Sequence, residues 1–216
     1  MKKAVVFDFD YTLGDSTNGI LLSVNYALEK LGYPVKDFPE IKKTIGLSLP
    51  ETFMALIPDG SREEANRFRE LFVERADDVM VANTQLYDCT QEVLNKLKEM
   101  GVSVGIVTTK LRCRIEDILK KFEAEHLVDC IVGAEDVKIE KPNPEGLLQI
   151  IASFHLTKEE ALYVGDSFVD AITAENAGVD FAGVLTGMIT EEEFEKYQSK
   201  FVAGNLWDVY NYVTEK

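Results

Sequence analysis

From about residue 81 to the end of the chain, short apolar runs alternate with segments of amphipathic helical spacing. In residues 91–101, apolar side chains at positions 93, 94, 97 and 100 precede Gly101, a typical helix stop. Repeated strand–helix units of this length predict a parallel sheet with right-handed crossovers and helices on both faces. The predicted strands are residues 5–7, 102–109, 127–133, 161–167 and 181–187, and the predicted helices are residues 91–101, 114–122, 144–154 and 168–178, before a last strand–helix segment at 201–213.

Residues 15–80 interrupt this alternation. They contain several stretches of helical spacing and no convincing strand between them. The simplest interpretation is an all-helical insert that follows the first strand and forms a cap beside that strand's end. The sequence therefore predicts two domains, an α/β core made of residues 1–14 and 81–216 and a helical cap made of residues 15–80.

The first predicted strand ends in two carboxylates. Val5, Val6 and Phe7 have no polar break and predict a short strand that is buried on both faces. Asp8 and Asp10 follow, and residues i and i+2 of a strand point to the same side. Two carboxylates at one spot repel each other unless a cation or a shared proton offsets the repulsion. From these residues alone, a simple turn and a ligand site are equally good interpretations.

The net charge of the chain limits which classes of molecule it can bind. The chain has 216 residues and a net charge of −15, with ordinary hydrophobic and charged fractions of 46% and 28%. Such a surface repels nucleic acid and acidic membranes, so we expect neither as a partner. It also repels phosphate esters, so an anionic substrate needs a local cation.

Cysteine and histidine content gives no sign of a metal site of the zinc type. Three widely spaced cysteines and two histidines show no paired metal-ligand spacing, which favours free thiols in a reducing compartment. The N-terminal segment is too short for a signal peptide, and no apolar run approaches transmembrane length. We therefore expect a cytoplasmic protein.

Polar signals recur at the carboxyl ends of the predicted strands, where ligands bind in open parallel sheets. Besides the two aspartates, they are Thr108 after one strand, Lys141 in EKPNP, and GDSFVD at residues 165–170 after another strand. Each has an ordinary alternative: a strand threonine, a solvated loop lysine, and Asp166 as the cap of the following helix. Their joint occurrence at strand ends favours one site.

These segments resemble those of the haloacid dehalogenase superfamily, specifically its hydrolases with a helical cap in the phosphoglycolate phosphatase-like branch. The residues that carry the resemblance are DFDYTL at 8–13, Thr108 in IVTTK, Lys141 in KPNP and GDSFVD at 165–170. With the position of the cap, the resemblance covers nearly the whole chain. It implies a Rossmann-like, doubly wound parallel sheet of the α/β class with an inserted α-helical cap domain.

The resemblance also implies roles for residues of this chain. Asp8 resembles the nucleophile that forms an aspartyl phosphate, and Asp10 resembles the general acid–base. The implied Mg²⁺ ligands are Asp8, the backbone carbonyl of Asp10 and Asp166, with Asp170 supporting the metal through water or through Lys141. The groups implied to hold phosphoryl oxygens are Thr108, Thr109 and Lys141.

The implied function is Mg²⁺-dependent hydrolysis of a small phosphate monoester, a phosphoglycolate-like metabolite, by a monomer or weak homodimer. A dehalogenase lacks the second aspartate, so Asp10 argues against that activity. A phosphosugar mutase of the β-phosphoglucomutase type shares the core residues but carries an arginine in the cap segment where this chain has Leu49. Two further functions stay open, which are pyrophosphatase activity on the same core and a catalytically silent ligand-binding or regulatory role.

Three positions depart from the family pattern, and the substrate-selecting residues of the cap stay open. Tyr11 stands where glycine is usual, so it is strained if that position requires a positive φ. Thr109 replaces the usual Asn or Ser, and Cys89 stands where glycine is common. Candidate cap residues that face the substrate are Ser16, Asn18, Thr44, Gly46 and Ser48, each of which could equally serve in a helix cap or turn.

Overall fold

The computed structural model describes residues 2–197 and 199–215 of the chain. The chain divides into two compact units, one made of Met1–Asp15 and Leu86–Lys216 and the other of Ser16–Gln85. The first unit is interrupted in sequence by the second. No helix in the described part of the chain is long and apolar enough to cross a membrane.

Strands and helices alternate through the larger unit, whereas the smaller unit is helical. The strands are β1 (Ala4–Phe7), β2 (Gly14–Asp15), β3 (Gln85–Leu86), β4 (Ser103–Val107), β5 (Cys130–Val132), β6 (Ala161–Gly165), β7 (Asp180–Val184) and β8 (Ser199–Ala203). The helices are α1 (Thr17–Lys30), α2 (Phe38–Lys42), α3 (Leu49–Leu56), α4 (Arg62–Val79), α5 (Thr90–Glu99), α6 (Arg112–Lys121), α7 (Glu145–Ser153), α8 (Phe168–Ala177), α9 (Glu191–Phe194) and α10 (Leu206–Thr214).

The larger unit is built on a parallel sheet of six strands in the order β5-β4-β1-β6-β7-β8. The chain starts in the middle of the sheet, builds outward on one side through β4 and β5, and crosses to the other side at β6. This order makes β1 a topological switch point, the place where open α/β sheets bind ligands. The predicted α/β, Rossmann-like fold class is confirmed.

The central strands β1 and β6 consist of continuous apolar residues and are fully buried. Helices α7 and α8 pack against them through Leu147, Ile150, Ala171 and Ala174, which join a core around Tyr163. A glycine C-cap at Gly178, with φ 68°, ends α8 and turns the chain into β7. These packed elements support the sheet edge that carries the loops after β1, β4 and β6.

The smaller unit packs α1 against α4 and adds α3 around its own apolar core. Phe53 and Phe68 lie at the centre of this core, with ring centroids 5.4 Å apart. Three of its helices begin with capping boxes, in which Asp37, Ser48 and Ser61 each exchange hydrogen bonds with a glutamate three residues later. The unit therefore has the core and the helix signals of an independent helical domain.

The three cysteines are free thiols: Cys89 and Cys130 are half-buried and Cys113 is exposed.

The helix boundaries differ from the sequence prediction by a few residues. The cap of α8 is Ser167, whose hydroxyl accepts a hydrogen bond from the Asp170 backbone N–H at 3.2 Å, so Asp166 is not the helix cap.

Candidate active site

Three adjacent parallel strands bring the predicted residues to one edge of the sheet. In register, Phe7 at the end of β1 lies opposite Ile106 of β4 and Val164 of β6. Asp8 follows β1, Thr108 follows β4 and Asp166 follows β6 within two residues of these positions. The parallel order alone therefore places two carboxylates and a hydroxyl side by side.

Asp8 is a buried carboxylate that is paired with a buried lysine. Its Oδ1 atom lies 2.9 Å from the Nζ atom of Lys141, and both side chains are buried. Burial raises the pKa of Asp8 to about 7, Lys141 opposes this rise, and Asp170 adds to it. Without a further cation, the negative charge on Asp8 is thus only partly compensated.

Lys141 is held between two carboxylates. Its Nζ atom lies 2.7 Å from Asp170 Oδ1 as well as 2.9 Å from Asp8, and it donates to the Tyr163 hydroxyl at 3.2 Å. Burial alone would lower the pKa of Lys141, but Asp170 and Asp8 raise it above its ordinary value. The ammonium group therefore stays charged beside the predicted nucleophile.

Asp170 accepts hydrogen bonds on both oxygens from protein groups. Oδ1 accepts from Lys141 at 2.7 Å and from the Tyr163 hydroxyl at 2.8 Å. Oδ2 accepts from the Ser167 backbone N–H at 3.1 Å and from its hydroxyl at 2.5 Å. A carboxylate has about four acceptor positions, so this set occupies them. The geometry favours Asp170 as the group that orients Lys141.

Tyr163 is a member of the site that sequence reasoning missed. It lies in the middle of β6, is fully buried, and its hydroxyl joins Lys141 to Asp170. Burial, followed by Asp170 and Asp8, raises its pKa well above the ordinary tyrosine value, so it stays neutral and donates. A tyrosine in an apolar strand looks like a core residue, and its spacing to GDSFVD is the only signal that could have found it.

Asp10 is partnered on one oxygen only. Its Oδ2 atom lies 3.1 Å from the Nζ atom of Lys110, whereas its buried Oδ1 accepts no hydrogen bond from the described residues. An unpartnered buried oxygen of this kind is the position at which a carboxyl group can hold a proton and donate it. Lys110 was not among the predicted site residues, although it directly follows Thr108 and Thr109 in IVTTK.

Tyr11 has a φ of 56°, so the position does require the left-handed conformation that glycine adopts freely. For a non-glycine residue this conformation costs about 1–2 kcal/mol. The side chain is buried, and the Tyr11 carbonyl accepts a hydrogen bond from the Thr186 hydroxyl. Burial of the ring and this contact from the loop after β7 hold the strained turn that follows Asp10.

Asp166 is a second buried carboxylate whose negative charge is poorly compensated. Burial raises its pKa well above the ordinary value, with Asp170 and Asp8 adding to the rise. The Thr12 hydroxyl lies 3.5 Å from its Oδ1, a long contact. On the Oδ2 side, the backbone of Gly187 approaches so closely that a Cβ atom there would lie 1.9 Å away. Only glycine at position 187 therefore lets this backbone pack directly against the Asp166 carboxylate.

Carboxylate oxygens of Asp8, Asp166 and Asp170 lie within 4.8 Å of one another, close enough to hold one metal ion. Because Asp170 is already saturated by hydrogen bonds, Asp8 and Asp166 are the side chains with capacity to spare. Their raised pKa values show buried negative charge that a cation would offset. All-oxygen donors of this kind suit a hard divalent cation such as Mg²⁺, so the residues present fit the predicted ion.

Thr108 and Thr109 start the turn between β4 and α6. The hydroxyl of Thr108 is buried and accepts a hydrogen bond from the Lys110 backbone N–H at 3.1 Å, and the Thr108 backbone N–H donates to Val132. Thr109 is half-buried. The turn is thus anchored to β5, which keeps the Thr108 hydroxyl at the sheet edge near Asp8.

The predicted cap residues lie in the smaller unit and have partners there. The Ser16 hydroxyl is buried and accepts a hydrogen bond from Thr84 at 3.0 Å. The Ser48 hydroxyl caps α3 by accepting a hydrogen bond from the Glu51 backbone N–H at 3.4 Å, and it donates one to the Glu51 carboxylate at 2.7 Å. Thr44 donates to the Ile41 carbonyl, and Gly46 has a φ of 98°. Structural roles therefore account for these contacts, and substrate binding by Ser16 and Ser48 stays a prediction.

Comparison with known proteins identifies relatives over the full length of this architecture. A family model described as haloacid dehalogenase-like hydrolase matches residues 5–184. A curated relative from Bacillus pumilus, named pyrophosphatase PpaX, is 32% identical over 206 residues, which are 95% of this chain and 93% of the relative. The corresponding protein of Bacillus velezensis is 29% identical, over 95% of this chain and 94% of its own length.

Solved structures agree with these matches. A structure from Bacteroides fragilis named as a haloacid dehalogenase-like hydrolase has a TM-score of 0.93 and 41% identity, covering 97% of this chain and all of that one. A structure from Clostridium acetobutylicum, described as a predicted phosphatase, has a TM-score of 0.91 and 25% identity over the whole of both chains.

Proposed function

The chain belongs to the haloacid dehalogenase-like hydrolase family, and on this basis we propose that it is a Mg²⁺-dependent phosphatase that acts on a small phosphate ester through an aspartyl phosphate. One observation carries the proposal. The buried Asp8 carboxylate lies 2.9 Å from Lys141, and one oxygen of Asp10, two residues further on, has no hydrogen-bond partner among the described residues. A nucleophile beside a fixed cation and a carboxyl group able to carry a proton are the two parts that this reaction needs.

In the first half-reaction, an Asp8 oxygen attacks phosphorus and the bond from phosphorus to the leaving oxygen breaks. Asp10 gives its proton to that oxygen, so the leaving group departs neutralised at this atom. Lys141 and the Thr108 hydroxyl stabilise the negative charge on the phosphoryl oxygens. The products of this step are the released alcohol or acid and a phosphoryl group bonded to Asp8.

In the second half-reaction, water attacks the phosphoryl group on Asp8. Asp10, now a carboxylate, takes a proton from the water, and the bond between phosphorus and the Asp8 oxygen breaks. Orthophosphate leaves, Asp8 is regenerated as a carboxylate and Asp10 regains its proton. The cycle therefore closes without any other reactant.

The residues that would hold Mg²⁺ are Asp8, Asp166 and the backbone carbonyl of Asp10, with Asp170 acting through Lys141. When bound, the ion supplies positive charge that offsets the buried carboxylates and attracts the phosphoryl oxygens. A side chain at position 187 would collide with the Asp166 carboxylate, so Gly187 lets Asp166 keep the position that this assignment requires.

Two substrate classes fit the core. The phosphoglycolate-like monoester implied by the sequence motifs is one, and pyrophosphate is the other, because relatives that match nearly the whole chain are named pyrophosphatase PpaX. In both, a phosphoryl group is transferred to water and the same core residues serve. A phosphosugar mutase would instead return the phosphoryl group to a sugar hydroxyl.

We further propose that the helical unit Ser16–Gln85 is the cap that selects the leaving group. Its separate core and its insertion after β1 support this role. A compact helical body joined to the core by two chain segments can move as a unit when substrate binds.

Phosphate release from a panel of two phosphate esters and pyrophosphate tests the proposed function. Pyrophosphate, phosphoglycolate and p-nitrophenyl phosphate are incubated with the purified protein in Mg²⁺ and in chelator. We expect Mg²⁺-dependent release from at least one ester and its loss in Asp8→Asn, while Asp117→Asn, which changes an exposed aspartate on α6, behaves like the parent. Release that is equal in Asp8→Asn and the parent would exclude the mechanism.

A further inference from the structure

Lys110 is a second buried lysine of the site, and it pairs with Asp10, whereas Lys141 pairs with Asp8. The Lys110 side chain is 6% exposed, and its Nζ atom lies 3.1 Å from the Oδ2 atom of Asp10, whose side chain is 13% exposed. Lysine is almost never buried without a strong reason, because its charge loses water on burial. The site thus places two buried ammonium groups on two different aspartates.

Lys141 and Lys110 contact groups that act on different parts of the substrate. Lys141 contacts Asp8 and Asp170, the nucleophile and its supporting carboxylate, and therefore lies beside the transferred phosphoryl group. Lys110 contacts Asp10, the residue proposed to give its proton to the leaving oxygen. Because its Nζ atom lies 3.1 Å from that acid, Lys110 would be close to the leaving oxygen in the proposed reaction.

The backbone of Lys110 is fixed in this place. Its N–H donates to the Thr108 hydroxyl at 3.1 Å, and its carbonyl accepts from the Ala134 N–H at 3.1 Å. The residue is thereby tied to the β4 turn and to the loop after β5. A lysine on such an anchored turn holds its charge in one region, although the chain as a whole carries −15 and repels anions.

We propose that Lys110 is a specificity-determining residue that selects substrates whose leaving group carries its own negative charge close to the ester oxygen. The proposal rests on the proposed phosphatase function and names its substrate class. The second phosphate of pyrophosphate and the carboxylate of phosphoglycolate both meet this description. An ester with a neutral alcohol as its leaving group gains nothing from the ammonium group.

Charge complementarity gives the direction and the size of the effect. An ammonium–anion hydrogen bond in a water-poor site is stronger than a neutral one. Its loss reduces binding or rate by about 10- to 100-fold. Losing the contact with Asp10 affects every substrate alike, whereas this further reduction is confined to substrates with an anionic leaving group.

The test compares kcat/KM for three substrates in the parent and in variants. Pyrophosphate and phosphoglycolate have anionic leaving groups, and glycerol 2-phosphate has a neutral one. Lys110→Met removes the charge, Lys110→Arg keeps it, and Lys138→Met removes the charge of an exposed lysine as the matched control. Ratios of kcat/KM between substrates are compared within each variant. The fraction of folded protein affects all substrates equally and therefore cancels from these ratios.

We expect Lys110→Met to lower kcat/KM for an anionic-leaving-group substrate by about 10- to 100-fold relative to glycerol 2-phosphate. Lys110→Arg and Lys138→Met should keep the parental ratio. A loss confined to pyrophosphate identifies a second phosphate as the selected group, and a loss confined to phosphoglycolate identifies a carboxylate. Equal losses on all three substrates would overturn the proposal.

Binding separates this proposal from the proposed function. Calorimetry on Asp8→Asn and on Asp8→Asn/Lys110→Met measures the affinities for pyrophosphate and methyl phosphate without turnover. A selective loss of pyrophosphate affinity supports the role of Lys110 even if the parent hydrolyses no ester in the panel. Equal affinities for pyrophosphate in the two proteins would refute it, whatever the catalytic outcome.

Discussion

A Cβ atom at position 187 would lie 1.9 Å from the Oδ2 atom of Asp166, so only glycine lets the backbone pack this closely against the carboxylate. We predict that Gly187→Ala pushes the Asp166 side chain away and lowers Mg²⁺ affinity by about 10- to 100-fold, the usual effect of disturbing the groups around metal ligands. Calorimetric titration with Mg²⁺ measures it. Gly204→Ala is the control, because a Cβ atom there meets nothing closer than 3.3 Å. Unchanged Mg²⁺ affinity in Gly187→Ala would show that Asp166 is not a ligand.

Tyr163→Phe removes the hydroxyl that links Lys141 to Asp170 while keeping the buried ring. We predict a loss of stability of about 1–3 kcal/mol, because Lys141 and Asp170 each lose a buried partner. The variant should also lower kcat more than it changes KM, since Lys141 is less well oriented beside Asp8. Urea unfolding and steady-state kinetics measure these effects.

Tyr210→Phe is the matched control for that substitution, because it removes the hydroxyl of a half-buried tyrosine on α10. A purely structural role for Tyr163 would reduce stability and leave kcat per folded molecule at the parental value. That result would remove Tyr163 from the groups that position Lys141.

The carboxylate cluster predicts an unusual pH dependence of stability in chelator. Burial raises the pKa of Asp8 from the ordinary 3.8 to about 7, with Lys141 opposing and Asp170 and Asp10 adding to the rise. Between these two values the folded state binds a proton that the unfolded state has lost, so stability falls as pH rises from about 4 to about 7. The raised pKa of Asp166 acts in the same direction.

The Asp8 contribution is at most about 4 kcal/mol, since one pKa unit corresponds to about 1.4 kcal/mol. Asp8→Asn should therefore be more stable than the parent at pH 8 in chelator, and the difference should shrink at pH 5. Thermal unfolding of both proteins at the two pH values measures it, with Asp117→Asn as a control. Equal stability of the parent and Asp8→Asn at pH 8 would contradict the conclusion that the buried charge of Asp8 is only partly compensated without a cation.

Cap movement predicts a response in the two segments that join the units. Residues 14–18 and 81–87 should exchange amide hydrogens more slowly when Mg²⁺ and a phosphate mimic are added together, because closure restricts the connecting backbone. Mass spectrometry of peptides from these segments measures the change, and peptides from α10 serve as a reference. Exchange that is the same with and without the ligands would count against a moving cap.

The fold could be predicted from the sequence because the strands are unbroken apolar runs and the helices have clear amphipathic spacing and stops. The site followed from the same source, since Asp8, Thr108 and Asp166 each come directly after a strand of a parallel sheet. A parallel order brings such strand ends together. Neither step required knowledge of any side-chain contact.

What the sequence did not reveal depends on contacts between distant segments. Lys110 looks like a solvated loop lysine, and only the fold shows that Asp10 is its partner. Tyr163 looks like a core residue of β6, and Gly187 like an ordinary loop glycine. The sequence allows either a strained or a relaxed backbone at Tyr11, and its φ of 56° shows the strained alternative.

The central claim, that Asp8 carries the phosphoryl group during the reaction, is tested most directly by trapping it. Asp10→Asn is mixed with p-nitrophenyl phosphate and Mg²⁺, quenched in acid within a fraction of a second, and mapped by peptide mass spectrometry. This leaving group needs little help from a proton, whereas the second half-reaction needs Asp10 as a base. We therefore expect a peptide that contains Asp8 to gain the mass of one phosphoryl group, and Asp8→Asn to gain none. Release of p-nitrophenol without any phosphorylated Asp8 peptide would contradict the account.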